Sequence, residues 1–309
     1  MSSIVNVVLP IFALILLGYL CRRTGRLGET AASEINRFVV WLALPSLLFK
    51  ATATASWEAI WHPGFIVAFT AGCLGVFAVT LLYRMAQRRS LVDASLDALS
   101  ASYANTGYMG IPLCVLLLGD EALQPTLISC LIVLCILFAI TIVCIETGLH
   151  AGQSVGHTLL KVGRALACHP LVVSPVLGAL WALSALPLYQ PLEQLLDMLG
   201  AATAPAALVS LGLFLAHSQT GRSDGVWPIV AIKLLVQPLI TWFLAFVVFE
   251  LPPVWAYSAL LLSALPTGTG PFMLAELYKR EAALVSRVIL FSTLASLVTL
   301  SACLYLLGL

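Results

Sequence analysis

Ser102-Tyr-Ala-Asn-Thr-Gly-Tyr-Met-Gly-Ile-Pro112 and Ser263-Ala-Leu-Pro-Thr-Gly-Thr-Gly-Pro271 decide how this chain is read. Each lies in the middle of a segment otherwise apolar enough to span a bilayer. Neither can be an unbroken helix. Gly107 and Gly110 in the first, and Pro266, Gly268, Gly270 and Pro271 in the second, have weak helix propensity, and each proline lacks an amide hydrogen and clashes with the preceding turn. Backbone that opens at membrane depth is tolerated only where it is buried in protein or lines a watered cavity. Both stretches are therefore candidate walls of one internal site.

The rest of the chain places them in a membrane. Hydrophobic residues make up 61% of the 309 residues and charged residues 9%, more apolar surface than one soluble core could hide. Apolar windows predict ten spans near residues 4–21, 36–56, 64–84, 95–119, 122–145, 166–187, 196–217, 226–250, 253–278 and 286–308. The basic residues then fall on alternate connections: Arg22, Arg23, Arg26 and Arg37; Arg84, Arg88 and Arg89; Lys161 and Arg164; Arg222; Lys279, Arg280 and Arg287. The intervening connections carry Glu58, Asp120 and Glu121, Glu193 and Asp197, and Glu250, with Lys50 the one basic residue among them. The rule that Lys and Arg collect on the cytoplasmic side puts both termini outside the cytoplasm. The first apolar run has basic residues after it rather than before it, the reverse of a secretory signal, and is expected to stay as a helix.

Other classes drop out. With a net charge of +1 and its basic residues scattered over short loops, the chain offers nucleic acid no surface. Its eight cysteines include no Cys-x-x-Cys and read as small core residues, and the five histidines share no spacing that would make a metal site or a proton relay. Nucleophile and zinc-protease motifs are absent, so no enzyme and no cofactor is expected.

An internal similarity recurs at a spacing of about 160 residues, about half the chain. Pro10 with Gly18 is matched by Pro170 with Gly178, Pro45 by Pro205, and Ser102, Thr106 and Gly107 by Ser263, Thr267 and Gly268. With five spans in each half, the second copy enters the membrane from the opposite side, an inverted repeat. The expected organisation is residues 1–149 as the first repeat, 150–165 as a cytoplasmic linker and 166–309 as the second, with the fourth and ninth spans broken and crossing.

After each break a half-helix begins near the midplane, its first amides pointing into the gap, and each such end is worth roughly half a positive charge. Pro112 and Pro271 suit the first turn of these half-helices, and Thr269 or Gly270 could cap the second. Asn105, Thr106, Tyr108, Thr267 and Thr269 offer donors and acceptors beside them, and Gly107, Gly110, Gly268 and Gly270 let an anion approach bare amides. Lys233 either snorkels to the interface or faces inward as a fixed cation; Gln237 one turn on and Pro238 favour the inward position. Two helix ends plus one ammonium suit a dianion. Glu276 could serve coupling to a proton or sodium ion, although pairing with Lys279 or Arg280 at i+3 and i+4 is the preferred reading. Asp97 and Glu146, close to helix ends, read as interfacial.

Val8-Leu-Pro-Ile-Phe-Ala-Leu-Ile-Leu-Leu-Gly-Tyr19, Asn105-Thr-Gly-Tyr-Met-Gly-Ile-Pro-Leu113 and Lys233-Leu234 resemble the auxin efflux carrier family, and the resemblance covers the whole chain. It implies ten helices in two inverted five-helix repeats, broken fourth and ninth helices, and organic-anion substrates. Pro266-Thr-Gly-Thr-Gly-Pro-Phe-Met-Leu-Ala-Glu276 departs from the Asn-containing crossover common in other members and is similar to the bacterial malonate transporter branch. The expectation that this resemblance implies is a secondary transporter of malonate or a similar dicarboxylate in a bacterial inner membrane. An anion channel, or a carrier of malate or an auxin-like monocarboxylate, stays open, as does a receptor. The coupling ion is not legible, and a homodimer is compatible with the sequence.

Overall fold

The computed structural model describes residues 2–54, 62–149, 160, 163–164, 167–184, 186–216, 225–280 and 282–308, with side chains from residue 8 onward. All regular structure among them is helical. In chain order the helices are α1 (Ser2–Arg23), α2 (Ala31–Ala53), α3 (Pro63–Ala86), α4 (Leu91–Ser102), α5 (Thr106–Leu118), α6 (Asp120–Leu149), α7 (Pro170–Leu183), α8 (Gln190–Leu215), α9 (Val226–Val248), α10 (Pro253–Ala264), α11 (Gly270–Leu277) and α12 (Ala282–Leu307). Six of them, α2, α3, α6, α8, α9 and α12, are long and apolar enough to cross a membrane, and α5, α7 and α10 are shorter apolar helices. This is a polytopic membrane protein. Most of the expected linker at 150–165, with Lys161, and the loop residues Glu58 and Arg222 lie outside the described residues.

The expected spans 95–119 and 253–278 are each split in two, into α4 with α5 and α10 with α11. The first break is narrower than its glycines suggest. Helix resumes at Thr106, so Gly107, Gly110 and Pro112 lie inside α5. The reason is a widened turn over Thr106–Gly110: the amides of Met109 and Gly110 share the carbonyl of Asn105 at 3.1 and 3.0 Å, and that of Ile111 reaches back to Thr106. Such a turn accommodates a following proline without a second interruption. A matching wide turn, Ile232–Val236, precedes Pro238 in α9.

Glycines set the closest helix contacts. A Cβ on Gly18 of α1 would lie 2.2 Å from the carbonyl oxygen of Val209 on α8, and one on Gly212 would lie 1.9 Å from that of Ile15. On α7, a Cβ at Gly178 would lie 2.5 Å from the carbonyl oxygen of Phe49 and 2.0 Å from Thr52 Oγ1, both on α2. Between helices that are both surrounded by apolar groups, close backbone packing of this kind supplies much of the attraction. The two contacts are reciprocal: Gly18 and Gly178, and Phe49 and Val209, stand at the same spacing in the chain.

Charged side chains near helix ends find tertiary partners. Asp97 is buried rather than interfacial, because Arg84 of α3 reaches it at 2.6 Å and Arg89 at 3.5 Å. Arg280 does not turn back to Glu276. Lys279 adopts a left-handed conformation (φ 51°), which ends α11 and sends Arg280 to Asp93 at the start of α4, with Nε and Nη2 each 2.9 Å from a carboxylate oxygen. Glu276 is exposed. Lys50 is neutralised by Glu193 at 3.0 Å and Asp197 at 2.6 Å, both on α8.

Gly212→Ala should force α1 and α8 apart at a backbone contact that cannot yield, costing about 1–3 kcal/mol. Gly75→Ala on α3, where an added Cβ meets nothing within 4 Å, is the control. Thermal unfolding in detergent should show a lowered midpoint for the first and none for the second.

Candidate functional site

Tyr103, Ala104 and Asn105 run extended between α4 and α5 and meet the segment between α10 and α11 as an antiparallel bridge at Ala104 and Thr267. The Asn105 amide donates to the Pro266 carbonyl at 2.9 Å, and the Gly268 amide to the Tyr103 carbonyl at 3.0 Å. Proline has no amide to leave unpaired, and its carbonyl is used. Thr267 is fixed twice more, its amide donating to Ser292 Oγ of α12 at 3.1 Å and its hydroxyl to the Ser100 carbonyl at 2.7 Å.

The carbonyls at the ends of α4 and α10 are taken by two side chains one turn apart on α9. Lys233 Nζ donates to the carbonyls of Ser263 at 2.8 Å and Leu265 at 2.6 Å; Gln237 Nε2 donates to the Ser102 carbonyl at 3.0 Å and contacts Cys73 Sγ at 3.3 Å. Lys233 is 0% exposed, so it does face inward. Its charge, however, sits on the negative end of α10, where a cation is favourable.

Beside the crossing lies a cavity of about 100 Å³. Asn105, Thr106, Gly107, Tyr108, Thr269 and Gly270 line it; Gly110, Lys233, Thr267, Gly268, Pro112, Pro266, Pro271 and Glu276 do not. Thr267 and Gly268 build the bridge behind it, and Gly110 lets α5 close on α10, since a Cβ there would lie 2.7 Å from Leu262 Cδ2. Leu44 and Leu48 of α2, Leu131, Leu134 and Phe138 of α6, and Met273 of α11 make the apolar wall.

The polar atoms in the cavity are neutral. No Asp, Glu, Lys or Arg is among its lining residues. The starts of α5 and α11 both open on it, and the first amides of a helix have no intrahelical partner. Thr269 occupies the capping position of α11 without a side-chain cap bond, and Pro271 falls in its first turn as expected. Asn105 is 4% exposed, yet its Nδ2 has no hydrogen-bond partner. Tyr108 donates to Asn36 Oδ1, tying α5 to α2. Tyr103 stands against Phe138 with ring centroids 5.4 Å apart, and only a glycine at 270 admits both: a Cβ there would lie 2.5 Å from Tyr103 Cζ and 2.7 Å from Phe138 Cε2. Such a chamber can hold a small anion by neutral donors and helix ends.

Sequence reading passed over Tyr103, Cys130, Phe138 and His169 as lining residues. Tyr103 was inside the quoted stretch; His169 before Pro170 carried only the weak signal of a residue preceding a helix-starting proline.

The family described as "Membrane transport protein" matches residues 3–304. The chain belongs to the auxin efflux carrier family. This family member is 31% identical to a protein of Rhizobium meliloti (strain 1021) named "Putative malonate transporter", over 99% of this chain and 96% of that one. It is 30% identical to an uncharacterized transporter of Methanothermobacter thermautotrophicus over 95% of both chains, and 26% identical to one of Methanocaldococcus jannaschii over 96% of both. This auxin efflux carrier family protein is a membrane transporter and not an enzyme.

Lys233→Ala should strand two buried carbonyls at the end of α10, each costing about 1–3 kcal/mol, and Gln237→Leu should strand one at the end of α4. Both should lower the thermal midpoint in detergent, the first by more. An unchanged midpoint for Lys233→Ala would mean that the ammonium does not hold the crossing together.

Proposed function

We propose that the protein is a secondary active transporter of small organic anions, most simply malonate or a similar dicarboxylate, working by alternating access around the crossing. The observation that carries this reading is that two half-helix starts and Asn105, whose side-chain amide has no partner, line one cavity. In it, Asn105, Thr106, Gly107, Tyr108, Thr269 and Gly270 contact the substrate, while Gly110, Lys233, Thr267 and Gly268, with the prolines at 112, 266 and 271, shape and hold the crossing. The printed name of the Rhizobium relative supports malonate.

The same reading takes the chain as ten helices in two inverted five-helix repeats, residues 1–149 and 166–309, with a linker at 150–165. The reciprocal contacts of Gly18 with Val209 and Gly178 with Phe49 support it, since a two-fold pseudo-symmetry exchanges them. Both termini then lie outside the cytoplasm of an inner membrane. Glu276 remains a candidate for proton or sodium coupling from the exposed face of α11, and a homodimer is compatible with the fold. A carrier of monocarboxylates is the second reading, favoured by a cavity without a fixed cation.

Purified protein in proteoliposomes should accumulate malonate, tested with and without sodium and proton gradients. Gly270→Val should abolish binding by filling the cavity, and Asn105→Ala should weaken it by about 1–3 kcal/mol. Calorimetric competition by malonate and its monoamide reads the substrate charge: equal affinity would mean that one carboxylate is recognised, which selects the monocarboxylate reading.

A further inference from the structure

His169 precedes the 14-residue helix α7 at its capping position and lines the cavity. Its Nδ1 accepts the amide hydrogen of Leu171 at 3.3 Å. A nitrogen that accepts carries no hydrogen, so in the neutral ring the proton sits on Nε2. Among the described residues no group takes that donor. With Nδ1 committed to the backbone of α7, Nε2–H is the polar group of this ring left for a ligand.

A second observation points the same way. Asn105, nine-tenths buried and more, lines the same cavity, and its Nδ2 has no hydrogen-bond partner. Buried donors are ordinarily paired, so the one left over on Asn105, a residue of the same chamber wall as His169, marks a place where an acceptor is brought in from outside. The other titratable groups facing the chamber are Tyr103, Tyr108 and Cys130. The phenol of Tyr108 is already spent on Asn36. On α2, packed against α7, Lys50 is held by Glu193 and Asp197, and Glu34 pairs with Arg37 at 3.7 Å.

We propose that His169 is a substrate-binding residue, its Nε2–H acting with Asn105 Nδ2 to hold a small carboxylate in this cavity. The proposal rests on the transport reading above and adds a donor from α7, a helix outside the two broken ones. Recognition then draws on the capped end of α7 as well as on the half-helix starts. The cap serves recognition too, because it fixes which ring nitrogen carries the hydrogen.

The test separates the cap from the donor. His169→Ser keeps an acceptor of the kind preferred at a helix start but removes the donor; His169→Gln restores an amide donor of similar reach. Full-length protein in detergent is titrated calorimetrically with malonate, acetate and succinate, and its thermal midpoint is recorded. His169→Ser should leave the midpoint unchanged and weaken malonate binding roughly ten- to a hundredfold, the range for a hydrogen bond to a charged group. His169→Gln should recover part of that loss. Should His169→Ser fold poorly, His169→Thr supplies the same cap. Wild-type affinity in the Ser or Thr variant would overturn the proposal and leave His169 a helix cap. Binding of acetate or succinate but not malonate would refute the malonate reading alone, and the variants are then read with the anion that binds. No binding by any of the three in the wild type would overturn both.

Discussion

Two backbone hydrogen bonds exchanged between Tyr103–Asn105 and Pro266–Gly268 are the constraint on which the structure depends. A helix that stops at membrane depth leaves carbonyls at its end and amides at the start of the next, and each peptide group without a partner there costs several kcal/mol. The carbonyls are dealt with by the protein itself. Lys233 takes those of Ser263 and Leu265, Gln237 that of Ser102, and Thr267 that of Ser100. The residues that start α5 and α11, Thr106 and Gly270, line the cavity. Under the proposed function, a donor left without a partner here, Asn105 Nδ2, is what an anion would use.

The halves divide this labour unequally. One helix, α9, supplies both straps, Lys233 to the end of α10 and Gln237 to the end of α4. At the chain spacing that relates Gly18 to Gly178, the residue matching Lys233 is Cys73, and Gln237 rests on that sulfur. Under the proposed repeat, the same framework therefore carries an ammonium in one half and a small thiol in the other. Only one cation needs to be desolvated, and it is placed where two carbonyls and a helix end stabilise it.

Prolines and glycines made both breaks legible, because the chemistry that interrupts a helix is local to the sequence. The inward position of Lys233 was legible from Gln237 one turn on, on the same face, and from Pro238, which keeps that helix irregular. Its partners were not, since they are carbonyls of α10 some thirty residues away, and spacing along α9 says nothing of where that helix stops. Asp97 looked interfacial because it lies near a helix end, yet Arg84 from the preceding helix draws it into the interior. For Arg280 the helical i+4 rule pointed to Glu276, but the rule holds only while the helix continues, and Lys279 ends it. His169 was hidden for another reason. Its place in the cavity wall depends on how α2, α5, α6 and α7 come together, which no local motif records.

Charge bookkeeping at the crossing links the substrate to the coupling ion. Each helix end carries roughly half an elementary charge. The ammonium of Lys233 therefore about balances the negative ends of α4 and α10, leaving the positive starts of α5 and α11 to supply roughly one positive charge to the cavity. Donors such as Asn105 Nδ2 improve the solvation of an anion without adding to that sum. One carboxylate is then neutralised in place. A dicarboxylate brings a second negative charge into a chamber walled by Leu44, Leu48, Phe138 and Met273, where water is too scarce to screen it. Under the proposed function a dianion would then call for a companion cation, a proton on its second carboxylate or a metal ion beside it, whereas a monocarboxylate would call for none. On that reading, a need for a companion cation would follow from the second carboxylate of the substrate, because the cavity lining holds no fixed cation to meet it.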